Sequence, residues 1–71
     1  MLRDEAVKVF ERLENDGLKP RLHEPEEEGG LFEIHLDGAG YELDDFKTLV
    51  RVGEDFGIGL KLDDNGGVTL S

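Results

Sequence analysis

The sequence predicts an α+β domain with element order α-β-β-α-β-β, in which two helices cover one face of a four-stranded antiparallel sheet. Three observations carry this reading. The stretch Phe32–Asp37 alternates apolar and polar residues, which is the pattern of a strand with one buried and one wet face. Two segments, one on each side of it, repeat apolar residues at helical spacing. Two further alternating segments near the C-terminus are joined by Asn65-Gly66, a strong local signal for a hairpin.

The first helix is expected over residues 3–16. Leu2, Ala6, Val9, Phe10 and Leu13 fall on one face, and Arg3, Asp4, Glu5, Lys8, Glu11, Arg12 and Glu14 on the other. Asp4 and Glu5 in the first turn suit the positive end of the helix dipole. Gly17 ends the helix because it accepts a left-handed backbone without penalty. A short strand follows over Leu18–His23, with Leu18 and Leu22 inward. Pro20 lacks an N–H, so this strand belongs at an edge. Glu24–Gly30 is the hairpin loop, and Phe32, Ile34 and Leu36 then face the core from a central strand.

Gly38-Ala39-Gly40 reads as a flexible connection to a second helix, Leu43–Phe56. Its expected buried stripe is Leu43, Phe46, Leu49, Val50, Gly53 and Phe56. Gly53, on that stripe, suggests a close helix–sheet or helix–helix approach, and Gly57 ends the helix as Gly17 ends the first. A third strand, Ile58–Leu62, with Ile58, Leu60 and Leu62 inward, is expected at the other edge. The turn Asp64–Gly67 leads to a central fourth strand with Val68 and Leu70 inward. The core expected from these elements is Val9, Phe10, Leu13, Phe32, Ile34, Leu36, Phe46, Leu49, Ile58, Leu60 and Leu62.

The order looks like one αββ unit used twice, 1–37 and 41–71, within a single domain spanning 1–71. A shift of 40 residues places Glu14 on Glu54, Gly17 on Gly57 and Leu22 on Leu62. The whole pattern resembles a ferredoxin-like fold circularly permuted so that its first strand comes last. The resemblance is one of topology and implies central second and fourth strands.

Charge bounds the function. The chain has 71 residues, 18 acids against 8 Lys and Arg, and a formal net charge of −10. Such a charge repels nucleic-acid phosphates. All four Phe belong to expected core positions and Tyr41 to a connection, so no aromatic remains to stack bases on the sheet. Two explanations of the acidity stand: halophilic adaptation to a salty interior, or a specific surface for a basic partner or cation. With no cysteine, neither disulfides nor a thiolate zinc site is available. No apolar run has the length of a membrane span, and nothing after Met1 reads as a signal peptide, so a cytoplasmic location is the expectation.

No nucleophile stands beside a base at an interpretable spacing, so the expectation is a non-enzymatic module without a cofactor. Lys19, Arg21, His23, Glu33, His35 and Lys61 should share the open face of the sheet, its least acidic area, and are the candidate residues for binding a protein or a second copy of the chain. The other candidate contact is an edge strand, above all the third, Ile58–Leu62, with Gly59 expected to bond outward. The alternative is a small-ligand or cation sensor. Its metal candidates are Asp37, Asp44 and Asp63, at the acidic end of the sheet. Asp63–Gly67 resembles the start of a calcium loop, but the chain ends before the bidentate Glu such a loop requires.

Overall fold

The computed structural model describes all 71 residues. The elements are α1 (Arg3–Asn15), β1 (Arg21–His23), β2 (Glu33–Asp37), a 3-10 turn (Gly38–Gly40), α2 (Leu43–Phe56), β3 (Leu60–Leu62) and β4 (Gly67–Leu70). The four strands form one antiparallel sheet in the order β1-β2-β4-β3. Strands β2 and β4 are central and β1 and β3 are edges, an order compatible with the permuted ferredoxin-like arrangement. Both helices pack on the sheet and touch each other.

The two helices end alike. After α1, Gly17 (φ +88°) donates to the Glu14 carbonyl and Leu18 to the Leu13 carbonyl. After α2, Gly57 (φ +66°) donates to Glu54 and Ile58 to Gly53. These are two Schellman closures 40 residues apart, each using a glycine where a side chain would strain the backbone. The repeat seen in the sequence is therefore a repeat of helix-to-strand joints. The same bonds shorten the edge strands. Leu18 and Ile58 spend their N–H groups on the helix ends, and Pro20 has none. The β1 ladder thus starts at Arg21 rather than Leu18, and β3 is assigned from Leu60 rather than Ile58.

The core is formed by Met1, Ala6, Val9, Leu13, Leu18, Ile34, Leu36, Leu49, Val52, Val68 and Leu70. Phe10, Phe32, Phe46, Ile58 and Leu60, expected within it, are half-buried and pack against its margin. Leu62 is 64% exposed, contrary to expectation. It faces the helical side of the sheet with Val68, its neighbour in register, but lies at the edge that no helix fully covers. Leu2, which precedes α1, is also exposed. Met1 joins the core, and its backbone exchanges hydrogen bonds with Phe32 in both directions.

The expected stripe of α2 requires a correction. Leu49, Val52 and Gly53 are buried, whereas Leu43 and Val50 are exposed. At about 100° per residue, Val52, Phe56, Leu49, Gly53 and Phe46 span an arc of about 120°, and Val50 and Leu43 lie beyond it. Gly53 marks a close approach, as expected, and what approaches is the chain entering β3. A Cβ there would stand 3.3 Å from the Ile58 carbonyl oxygen, so the glycine makes room for the chain returning into β3.

The segment Gly38–Gly40 is a tight turn rather than a flexible connection. Gly38 is buried and donates to the Gly66 carbonyl at 2.8 Å, joining the start of this turn to the β3–β4 hairpin. The Asp37 side chain accepts from Ala39 N, and that of Asp45 accepts from Glu42 N at the start of α2. Arg12 bonds Asp55 of α2 at 2.9 Å across the helices and Asp16 at the end of its own helix at 3.3 Å. The hydrogen bond Arg12 donates to Asp55 raises its guanidinium above the ordinary pKa.

Candidate functional site: an open sheet face and an uncovered edge

Two surfaces remain uncovered. The first is the sheet face opposite the helices. Strand register sets Arg21 beside His35, His35 beside Thr69, and Thr69 beside Lys61, so these residues form one row across all four strands. Glu33 and His23 are neighbours in the next row. The two imidazoles stack with centroids 4.7 Å apart and planes 8° from parallel, and His35 Nε2 lies 3.3 Å from Glu33 Oε1. Thus Arg21, His23, Glu33, His35 and Lys61 share the open face as expected. Lys19 precedes β1 and lines a hollow at the end of the sheet with Gly17, Leu18, Asp37, Gly40, Tyr41 and Asp45.

The acidic end is used locally. Asp63 Oδ1 accepts from Asn65 N and Gly67 N, closing the β3–β4 turn, while Asp37 caps the 3-10 turn. Asp44 contributes its carbonyl to Thr48 Oγ1 within α2. No group of three or more His, Cys, Asp or Glu side chains is arranged to hold a metal ion.

The second surface runs along α2 and β3. Leu43, Phe46, Lys47, Val50, Arg51 and Glu54 line an open groove of about 400 Å3. Val50 and Glu54 also border a smaller depression with Gly53, Gly57, Ile58 and Leu60. Leu62 continues the row begun by Leu60 on β3. Leu43, Val50 and Leu62 are 69%, 47% and 64% exposed and account for three of the five exposed large hydrophobic residues.

The edge itself is chemically open. Gly59 and Ser71 exchange both backbone bonds, and Asp63 N donates to Gly67 O. Antiparallel pairs alternate between bonded and unbonded positions. Gly59, Lys61 and Asp63 therefore direct their backbone groups toward β4, and Leu60 and Leu62 direct theirs outward. Gly59 is thus not an outward-bonding residue of this edge.

Sequence reasoning placed Leu43 and Val50 on the buried stripe of α2 because it allowed that helix one wide stripe. The available signal was the width of that arc, since a helix lying on a sheet edge buries only part of it. Comparison with known proteins gave no family model that matches the chain and no match to a curated protein or a solved structure. No helix is long and apolar enough to cross a membrane.

Proposed function

We propose that this chain is a non-enzymatic interaction module that binds protein through its α2–β3 side. The observation that carries the reading is the coincidence of exposed Leu43, Val50 and Leu62 with the free backbone groups of Leu60 and Leu62. An unpaired edge invites strand addition, and an adjoining apolar groove supplies side-chain burial and hence specificity. The edge has little to blunt it: Lys61 is the only charged residue within β3. At the opposite edge, Pro20 immediately precedes β1, and the loop after it carries four acids. The local charge also differs from the chain average. Lys47, Arg51 and Glu54 line the groove, in a protein of net charge −10.

The open face is the second surface this reading allows. The row Arg21–His35–Thr69–Lys61 favours it, as does the imidazole stack, but exposed Leu43, Val50 and Leu62 lie away from it. Site-specific photo-crosslinking in the native host distinguishes the two. A benzophenone side chain would be placed at Val50, at His35 or, as a control, at Glu11 on the outer face of α1. A discrete protein adduct from Val50 alone is the expected result. Adducts from His35 alone move the function to the open face, and equal yields from all three sites remove support for either surface.

A further inference from the structure

We infer that the occupant of the α2–β3 groove is a second copy of this chain, related by a two-fold axis beside β3, so that the two sheets join into one of eight strands. This rests on the interaction reading above and specifies its partner. Charge complementarity within α2 carries it. Leu43, Lys47, Val50 and Glu54 follow one another at spacings of four, three and four residues and so form one row along the outer side of the helix. A two-fold axis sets this row against itself in the opposite direction. Centred next to Val50, the antiparallel pair brings Lys47 of each copy to Glu54 of the other, with the Val50 side chains between them. A parallel pair would instead oppose Lys47 to Lys47 and Glu54 to Glu54. The row is therefore self-complementary in the one direction that two-fold pairing of β3 edges imposes.

The backbone agrees with this direction. Leu60 and Leu62 supply outward N–H and C=O groups, which pair with the same groups of an antiparallel copy. Val50 borders the depression that Leu60 also lines, so the centre of the helix row and the free edge lie side by side. Leu62 and Val50, exposed in the monomer, become buried between the copies.

The most acidic loop contributes little repulsion in this geometry. The four acids of the loop Glu24–Gly30 adjoin β1, the edge farthest from β3. In an eight-stranded sheet the two β1 strands are seven spacings apart, about 34 Å at about 4.8 Å per spacing. The Debye length in physiological salt is about 8 Å, so these loops screen each other out. The groups that meet at the axis include the bases Lys47 and Arg51 against the single acid Glu54.

The test is sedimentation equilibrium of the wild type, Lys47→Glu, Glu54→Lys and an equimolar mixture of the two variants, up to millimolar concentration in physiological salt. All substituted positions are exposed. Unchanged melting temperatures and amide spectra of the single variants would show that each fold is intact. The expected result is a wild-type dimer that each single substitution weakens about tenfold or more, about 1.4 kcal/mol. The mixture should dimerise again, because one copy of each variant sets an acid against a base in both pairs across the axis. Leu62→Pro should fold and remain monomeric, since it removes an outward N–H and a buried contact at once. A wild type that stays monomeric throughout overturns the inference, while a Val50 adduct to another protein would leave the broader interaction reading standing. A dimer indifferent to both charge changes, or a mixture that does not recover, also overturns it.

Discussion

Two valines two residues apart in α2 make the sharpest test of how this domain is packed. Val52 is fully buried and Val50 is 47% exposed, so Val52→Ala and Val50→Ala delete the same atoms from opposite environments. At Val52, two carbons leave a core shared with Leu13, Leu49 and Val68. Each buried methylene is worth about 0.8 kcal/mol, and incomplete collapse of the cavity adds to this, giving about 2–3 kcal/mol. A domain of this size is stable by about 4–10 kcal/mol, so the loss is a substantial share. The melting temperature should fall by about 8–24 °C, taking about 4–8 °C per kcal/mol. At Val50, slightly higher helix propensity offsets the small exposed area lost, and the expected change is within about 0.5 kcal/mol. Urea unfolding followed by circular dichroism reads both variants, with the slope showing whether the transition stays two-state. Equal destabilisation of the two, or a larger effect at Val50, would refute the orientation of α2 and with it the exposed row on which the interface rests.

Other perturbations have equally definite outcomes. Gly59→Pro should destabilise the fold, because Gly59 N donates to Ser71 O at 2.9 Å, while Leu62→Pro should leave the monomer folded; thermal melts of both check the alternation of β3. Gly38→Ala should lower the melting temperature markedly, since its Cβ would lie 2.7 Å from the Gly66 carbonyl oxygen, and a neutral result would contradict the close approach of the 3-10 turn. Phe32→Ala should cost less than the roughly 3–5 kcal/mol of a fully buried phenylalanine, because Phe32 is half-buried, and urea titration measures it. Raising ionic strength from 0.01 to 1 M shortens the Debye length from about 30 to about 3 Å. The melting temperature should rise across that range through screening of the net charge of −10, and sucrose at matched osmolality controls for general surface exclusion.

Much of the architecture was legible because local signals agreed. The alternation of Phe32–Asp37 placed β2 at the centre, Pro20 placed β1 at an edge, and Gly17 and Gly57 marked both helix ends. What the sequence obscured was the width of coverage. Periodicity says which side chains share a face, but not how far a neighbouring element extends over that face. Leu62 follows the apolar pattern as faithfully as Val68 and differs in lying at the uncovered edge, while Leu43 and Val50 fall at the far side of a stripe of which α2 buries only part. The open-face residues were legible for the converse reason. Once Leu22, Ile34, Leu60 and Val68 are turned inward, strand alternation turns Arg21, His35 and Lys61 outward and register aligns them. Backbone direction at β3 was not legible. It depends on which residues of β3 bond to β4, and that follows from the length of the Asp63–Gly67 turn.

The α2–β3 side as the working surface is tested most directly by amide spectra of the uniformly 15N-labelled wild type over a dilution series from millimolar to micromolar. The interface described above predicts concentration-dependent shifts confined to Lys47–Glu54 and Leu60–Leu62, with Arg21, His23 and His35 unmoved. Shifts centred on Arg21, His23 and His35, with the α2 amides still, would contradict it and assign contact to the open sheet face.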